Sequence, residues 1–303
     1  MTIIECSGLA RRFRLNWALR DCDLAIPAGH VVALVGPNGA GKTTLLNLAA
    51  GLLRPTAGRL TVLGGERPGS AAARARIGFV AQDAPLYGHL PAGDMLRVAR
   101  NLSVRWDDQR ARDRLARTGV PLDRKVSKLS GGQRAQLALT IALAKLPDVL
   151  ILDEPVAALD PLARHDLMGS LMAAVAQDEL SVVFSSHVVS ELERIADYLV
   201  VLNAGRLQLA GEVEALIAGH RILTGAGGEM SLGSQRAAVV HASTAAAQAH
   251  LLVRMPAGDQ VPRGWQSQPA TLEDLVLGYL RDPAARMLPG QAPATAGEVA
   301  VPA

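Results

Sequence analysis

The stretch HVVALVGPNGAGKTTLLNLAAGLL, His30 to Leu53, narrows the possible folds more than any other. His30–Val35 is almost unbroken apolar chain, as a strand covered on both faces requires. A glycine-rich turn follows, and then apolar residues at helical spacing. Strand, tight turn and helix in that order form half of a βαβ crossover, which implies a parallel sheet. The same pattern returns downstream. IGFVAQ (77–82), DVLILD (148–153), SVVFSS (181–186) and YLVVLN (198–203) read as strands, and HVVSELERIADY (187–198) as a helix. Thr2 to about Ile26 reads as short strands with turns. Residues from about 84 to 145 are mostly helical, with many arginines on the polar faces. The expected fold is α/β, a largely parallel sheet with helices on both faces.

Composition limits the remaining choices. Of the 303 residues 49% are apolar, enough for a large core. The net charge is +3 and the arginines are scattered, so no nucleic-acid partner is expected. Cys6 and Cys22 alone cannot make a disulfide framework and read as packing residues in a reducing compartment. The start MTIIECSGLARRFR lacks the apolar core of a signal peptide, and no apolar run nears the ~20 residues of a membrane span. A cytoplasmic chain able to dock on a membrane protein is expected. After Leu223 small residues dominate. The expected division is 1–223 as the main domain, 224–284 as a small appended α/β segment, and 285–303 as a disordered tail.

GPNGAGKT, Gly36 to Thr43, fits the phosphate-loop pattern, and it lies between a strand and a helix as that pattern requires. Gly36, Gly39 and Gly41 let the backbone, with Pro37, Asn38 and Ala40, wrap a phosphate chain. Lys42 supplies positive charge, and Thr43, followed by Thr44, offers a hydroxyl to Mg²⁺. VLILDEP, Val149 to Pro155, ends a buried strand on two acids, where ligands of parallel sheets sit. Asp153 is placed to hold Mg²⁺ and Glu154 to polarise an attacking water. In LSGGQ, Leu129 to Gln133, Ser130 is a natural N-cap, and Gly131 and Gly132 weaken the first turn of a helix. Taken alone, that is only a capped helix. Its bare N-terminus could also receive an anion.

Together these motifs, with Gln82, Asp160 in ALD and His187 in SSH, resemble the nucleotide-binding subunits of ABC transporters, a P-loop NTPase family, over residues 2 to 220. The resemblance implies a mixed, largely parallel sheet with an N-terminal antiparallel β subdomain and an inserted helical signature subdomain, and ATP and Mg²⁺ as cofactors. Phe13 would stack on adenine, with Trp17 the weaker candidate. Gln82 would touch Mg²⁺ and the attacking water, Glu154 would be the general base, and His187 would contact the γ-phosphate. Ser130, Gly131, Gly132 and Gln133 would close over ATP on a second nucleotide-binding subunit, with Asp160 crossing that interface. A separate permease at the inner face of the membrane would be driven, through a groove around QDAPLYGHLPAGDM (82–95). Val156, Ala157 and Ala158 replace the family's frequent Thr-Ser-Gly, with no expected loss of hydrolysis. The arm and the segment TLEDLVLGYLR (271–281) are similar to antibiotic and bacitracin exporter ATPases. The competing expectation is a non-transport ABC ATPase acting on nucleic acid or ribosomes. Such relatives usually carry two nucleotide domains or long coiled-coil insertions, and neither is present here.

Overall fold

Buried residues at every second position, Cys22, Leu24 and Ile26, commit one N-terminal segment to a half-buried strand. In the computed structural model this is β2 (Asn16–Pro27), the return strand of a hairpin with β1 (Thr2–Phe13). The expected short strands are therefore two strands of twelve residues each. The structure describes residues 1–186, 189–226, 238–245, 248–255, 260–261 and 263–282.

The core strand β3 (Val31–Val35) is buried throughout and leads through the glycine loop into α1 (Lys42–Ala49). Next, β4 (Ala57–Val62) joins the far side of β1, giving an antiparallel sheet of order β2-β1-β4. Then come α2 (Ala71–Arg76) and β5 (Ile77–Val80). The helical arm holds α3 (Ala92–Leu102), α4 (Asp108–Arg117) and α5 (Gly131–Ala144), closed on its own small core of Leu96, Leu115, Val126 and Leu137. The chain continues through β6 (Val149–Leu152), α6 (Pro161–Asp178), β7 (Ser181–Ser186), α7 (Val189–Leu192), β8 (Tyr198–Asn203) and β9 (Arg206–Glu212).

The main sheet has the order β5-β6-β7-β3-β8-β9, parallel except for β9. Its alternating residues sort onto two faces. Leu34, Ile151 and Val183 pack with Leu45, Leu46 and Leu48 from α1. Ala33, Val35, Leu152 and Phe184 pack with Leu139 and Leu143 of α5 and Leu167 and Leu171 of α6. Each such buried side chain contributes about 1.5–3 kcal/mol. The helix expected over 187–198 is shorter among the described residues: α7 is one turn, and a turn then leads to Asp197.

The last part differs from its expected bounds. After α8 (Val213–Ala218), β10 (His220–Ala226) runs straight through the boundary expected at 223/224. It pairs with β12 (Gln248–Arg254) and β13 (Gln266–Pro269), and β11 (Ala238–Ala245) completes a four-stranded sheet. The closing helix α9 (Leu272–Arg281) folds back, and its Leu275, Val276 and Tyr279 join the same buried cluster as Leu199 and Val201 of β8. Residues 283–303, which include the expected tail, lie outside the described residues.

Candidate functional site

The glycine loop is held by contacts only glycine permits. A Cβ on Gly36 would stand 2.1 Å from the Leu202 carbonyl oxygen, and one on Gly41, at φ 106°, would stand 2.5 Å from the Ala18 carbonyl oxygen. Gly39 is also left-handed, at φ 79°. The loop thus closes over Lys42, whose Nζ donates to the Gly36 carbonyl at 2.8 Å and lies 3.4 Å from that of Pro37. Pro37, Asn38 and Gly39 are exposed at its rim, and Ala40 is buried beneath it. Thr43 is exposed in the first turn of α1, and Thr44 is half-buried.

Strand register brings the two acids to this loop. Leu152 pairs with Phe184, and Val35 with Ser186, so the ends of β6, β7 and β3 lie side by side. Asp153, two residues beyond Ile151, is 2% exposed at the carboxyl end of β6. Glu154 sits in the left-handed region at φ 45°, an uncommon state for a residue with a Cβ. Its Oε1 lies 3.3 Å from Lys42 Nζ. A hydroxyl absent from the sequence-based set also belongs here. Ser185 Oγ accepts from the Glu154 N–H at 2.8 Å and donates to Asp153 Oδ1 at 2.8 Å. Only the register of β6 against β7 brings it here, since Ser185 is two residues beyond Val183 as Asp153 is beyond Ile151.

Around this centre, Gln82 is exposed just after β5 and lines a cavity of about 230 Å³ with Glu154, Gly131 and Arg134. Ser130 caps α5: its Oγ accepts from the Gln133 N–H at 3.2 Å, and Gln133 Oε1 accepts from the Ser130 N–H at 3.2 Å. Ser130, Gly132 and Gln133 share a second cavity, of about 710 Å³, with Asp160. Asp160 caps α6 through the Ala163 N–H at 3.0 Å. The two glycines of the cap differ. A Cβ on Gly132 would stand 2.8 Å from that of Ala163, whereas one on Gly131 would meet nothing nearer than Leu159 Cδ2 at 3.7 Å.

Phe13 lies at the end of β1 opposite Asn16, half exposed, with the Arg11 guanidinium 4.5 Å above its ring. Trp17 is the next residue along β2 to Ala18, against which the glycine loop packs. Both aromatics therefore sit at the hairpin tip. His187 lies outside the described residues. Among those described there is no cluster of three or more metal-ligating side chains. Asp153 and Thr43 do supply the hard oxygen donors that Mg²⁺ takes when most of its shell is water and phosphate.

The ABC transporter family model matches residues 19–157. The nickel import ATP-binding protein NikO of Rhodobacter capsulatus is 36% identical over 235 residues, which cover 72% of this chain and 92% of that protein. The chain belongs to the ABC transporter ATP-binding family. Other relatives of this ABC cassette include the sulfate/thiosulfate import ATP-binding protein CysA of Synechococcus elongatus, 38% identical over 69% of this chain and 62% of its own length. The Nod factor export ATP-binding protein I of Rhizobium leguminosarum bv. viciae is 35% identical over 71% of this chain and 70% of its own length. The cassette thus spans about three fifths of the CysA relatives it matches. Among solved structures, an ATP-binding subunit of an ABC transporter superposes with TM-score 0.63 at 27% identity, covering 71% of this chain and 92% of that one. The dimeric bacterial cassette MJ0796 gives 0.62 at 25% identity, covering 69% and 98%. The P-loop NTPase fold expected from the motifs is therefore the fold of this ABC cassette. No helix among its described residues is long and apolar enough to cross a membrane.

Proposed function

We propose that this cassette binds ATP with Mg²⁺ at the Gly36–Thr43 loop and hydrolyses it between two nucleotide-binding subunits to drive a separate permease. The observation that carries the proposal is the convergence of Lys42, Asp153 and Glu154 at one loop, with Lys42 Nζ 3.3 Å from Glu154. Pro37, Asn38, Gly39, Ala40, Gly41 and Thr44 complete the backbone cradle, and adenine stacks on Phe13, with Trp17 beside it. Thr43, Asp153 and Gln82 hold Mg²⁺, which neutralises phosphate charge when bound. Glu154 takes a proton from the attacking water, with Gln82 and His187 positioning the water and the γ-phosphate.

The second subunit is called for by Gly131. Among the described residues a Cβ there would meet only ordinary contact, from Leu159 and Ala158, so packing within the chain does not require a glycine, and an approaching ligand would. Ser130, Gly131, Gly132 and Gln133 close on ATP held by the other copy or by a paralogue, and Asp160 lies at the seam. Ser130 Oγ accepts the helix N–H and keeps its own proton free for a phosphate oxygen.

A permease helix docks where the arm meets the core. Leu102 and Val104 line a groove of about 510 Å³ there and are 81% and 86% exposed. The segment 82–95, which runs into α3, exposes Asp83 and Tyr87. With such docking the cassette would work at the cytoplasmic face of the membrane. We assign export, on the likeness of the arm and of α9 to exporter ATPases, although named relatives serve import as well as export. Reconstitution with a permease that co-purifies with the chain, followed by nucleotide-dependent flux in inside-out vesicles, tests this. Uptake into those vesicles supports export, and efflux from preloaded ones overturns it. Charge reversal at Asp83 and Asp94 is expected to weaken pull-down of that permease.

A further inference from the structure

We infer that Ser185 is a positioning residue of the ATP site, which fixes Asp153 by its side chain and Glu154 by its backbone through one hydroxyl. The inference rests on the metal and base roles proposed for those two acids.

The geometry follows from the sheet. In a parallel ladder, paired residues point to the same face. Leu152 pairs with Phe184, so the next residues of β6 and β7, Asp153 and Ser185, fall side by side on the α1 face, in line with Ile151 and Val183. Both are buried, Ser185 at 0% and Asp153 at 2%. The Ser185 proton goes to Asp153 Oδ1, and its oxygen accepts the Glu154 N–H, each at 2.8 Å.

Two requirements meet at this hydroxyl. A buried carboxylate needs a donor to set its rotamer, and Ser185 supplies one. Glu154 leaves the strand at φ 45°, so its N–H bonds to a side chain instead of continuing the ladder. A left-handed residue with a Cβ persists only where its surroundings hold it. An alanine here would remove the donor and the acceptor together, in a place that water reaches poorly. A valine-like residue would fill the strand as well but could do neither job. The serine is therefore explained by the two acids and not by packing.

Three variants test this in the full chain: Ser185→Ala, Ser185→Thr, which keeps the hydroxyl, and Ser185→Cys, which keeps the size. The measurements are kcat and KM for ATP, Mn²⁺ affinity in the presence of a non-hydrolysable ATP analogue by electron paramagnetic resonance, fluorescent ATP binding in chelator, and thermal unfolding. For Ser185→Ala, kcat and Mn²⁺ affinity are each expected to fall roughly 10–100-fold, the usual loss for a partner behind a metal ligand. Metal-free nucleotide binding should stay within about twofold, since a change below 0.5 kcal/mol is expected for a site left intact. Ser185→Thr should restore both quantities. If Ser185→Ala does not fold, the other pair decides: Thr near wild type with Cys depressed supports the role. Wild-type kcat and Mn²⁺ affinity in Ser185→Ala, or in Ser185→Cys, overturns it. Asp153→Asn and Glu154→Gln run in parallel. If they keep full turnover, the roles of the acids fail. If they lose it while Ser185→Ala does not, only the inference about Ser185 fails.

Discussion

Glu154 Oε1 stands 3.3 Å from Lys42 Nζ, and the two side chains are only 11% and 5% exposed. The carboxylate meant to activate water thus rests on the ammonium meant to hold phosphate. On the roles proposed for them, the γ-phosphate of ATP would compete for the same cation and free the carboxylate to meet water. Sheltered pairs of this kind lose much when one partner is removed, because the other is left uncompensated. Glu154→Gln is therefore expected to cut turnover about 10²–10⁴-fold while ATP still binds. Phosphate release, with gel filtration in ATP, checks this, and the variant should elute as a dimer. Wild-type turnover would remove Glu154 from the base role.

The paired glycines of the arm should respond differently to one methyl group. Gly132→Ala forces a Cβ to 2.8 Å from that of Ala163, and overpacking of this kind costs about 1–3 kcal/mol. Its melting temperature should drop. Gly131→Ala meets only ordinary contact and replaces a poor helix former, so stability should hold or rise by up to about 1 kcal/mol. Its ATPase activity should nevertheless fall at least tenfold. A stable and fully active Gly131→Ala would contradict the shared-site proposal.

Phe13 offers a ring face held by Arg11 at the hairpin tip. Base stacking on an aromatic is worth about 1–3 kcal/mol, so Phe13→Ala should raise the Kd for ATP roughly 5–100-fold. Phe13→Tyr should leave it near wild type. Equilibrium binding of a fluorescent nucleotide measures both. If Trp17→Ala shows the larger loss, the stacking residue is Trp17.

His220 gives the fold a pH dependence. The ring is fully buried: Nδ1 donates to the Leu216 carbonyl at 2.6 Å, and Nε2 accepts from the Tyr279 hydroxyl at 2.9 Å. Burial holds its pKa below the usual 6.5, against a smaller upward push from the Leu216 carbonyl, and nearby Arg254 lowers it further. The folded chain keeps this ring neutral where the unfolded chain binds a proton. That contribution is complete above pH 6.5 and shrinks as pH falls below it. His241 shifts the same way, by burial and then by Arg281. The melting temperature should therefore decline as pH is lowered below 6.5. His220→Phe, which cannot titrate, should melt lower at pH 7.5 and decline less steeply.

The nucleotide loop, the two acids and the cap were legible because each is a local pattern tied to one strand–helix junction. The capping box of Ser130 and Gln133 follows from their spacing alone. Ser185 was not legible in this way. Its partners lie 31 and 32 residues away, and only the register of β6 against β7 brings them together. The boundary expected at 223/224 falls inside β10, because small residues mark composition and not strand limits. Ile222 and Leu223 pack to opposite faces of one strand, β10, which runs on to Ala226. Among the described residues α7 is one turn, and residues 193–195 leave the helix in a turn before β8 begins at Tyr198, which apolar spacing does not mark.

The return of α9 onto β8 and β9 has a practical corollary. Asn203 Nδ2 donates to the Leu280 carbonyl at 2.9 Å, and Tyr279, Leu275 and Val276 lie against the main sheet. Excising a minimal cassette at residue 223 would cut a strand in half and strip an oily flank bare. Expression work should keep the chain through Arg281, or accept a fragment that clumps.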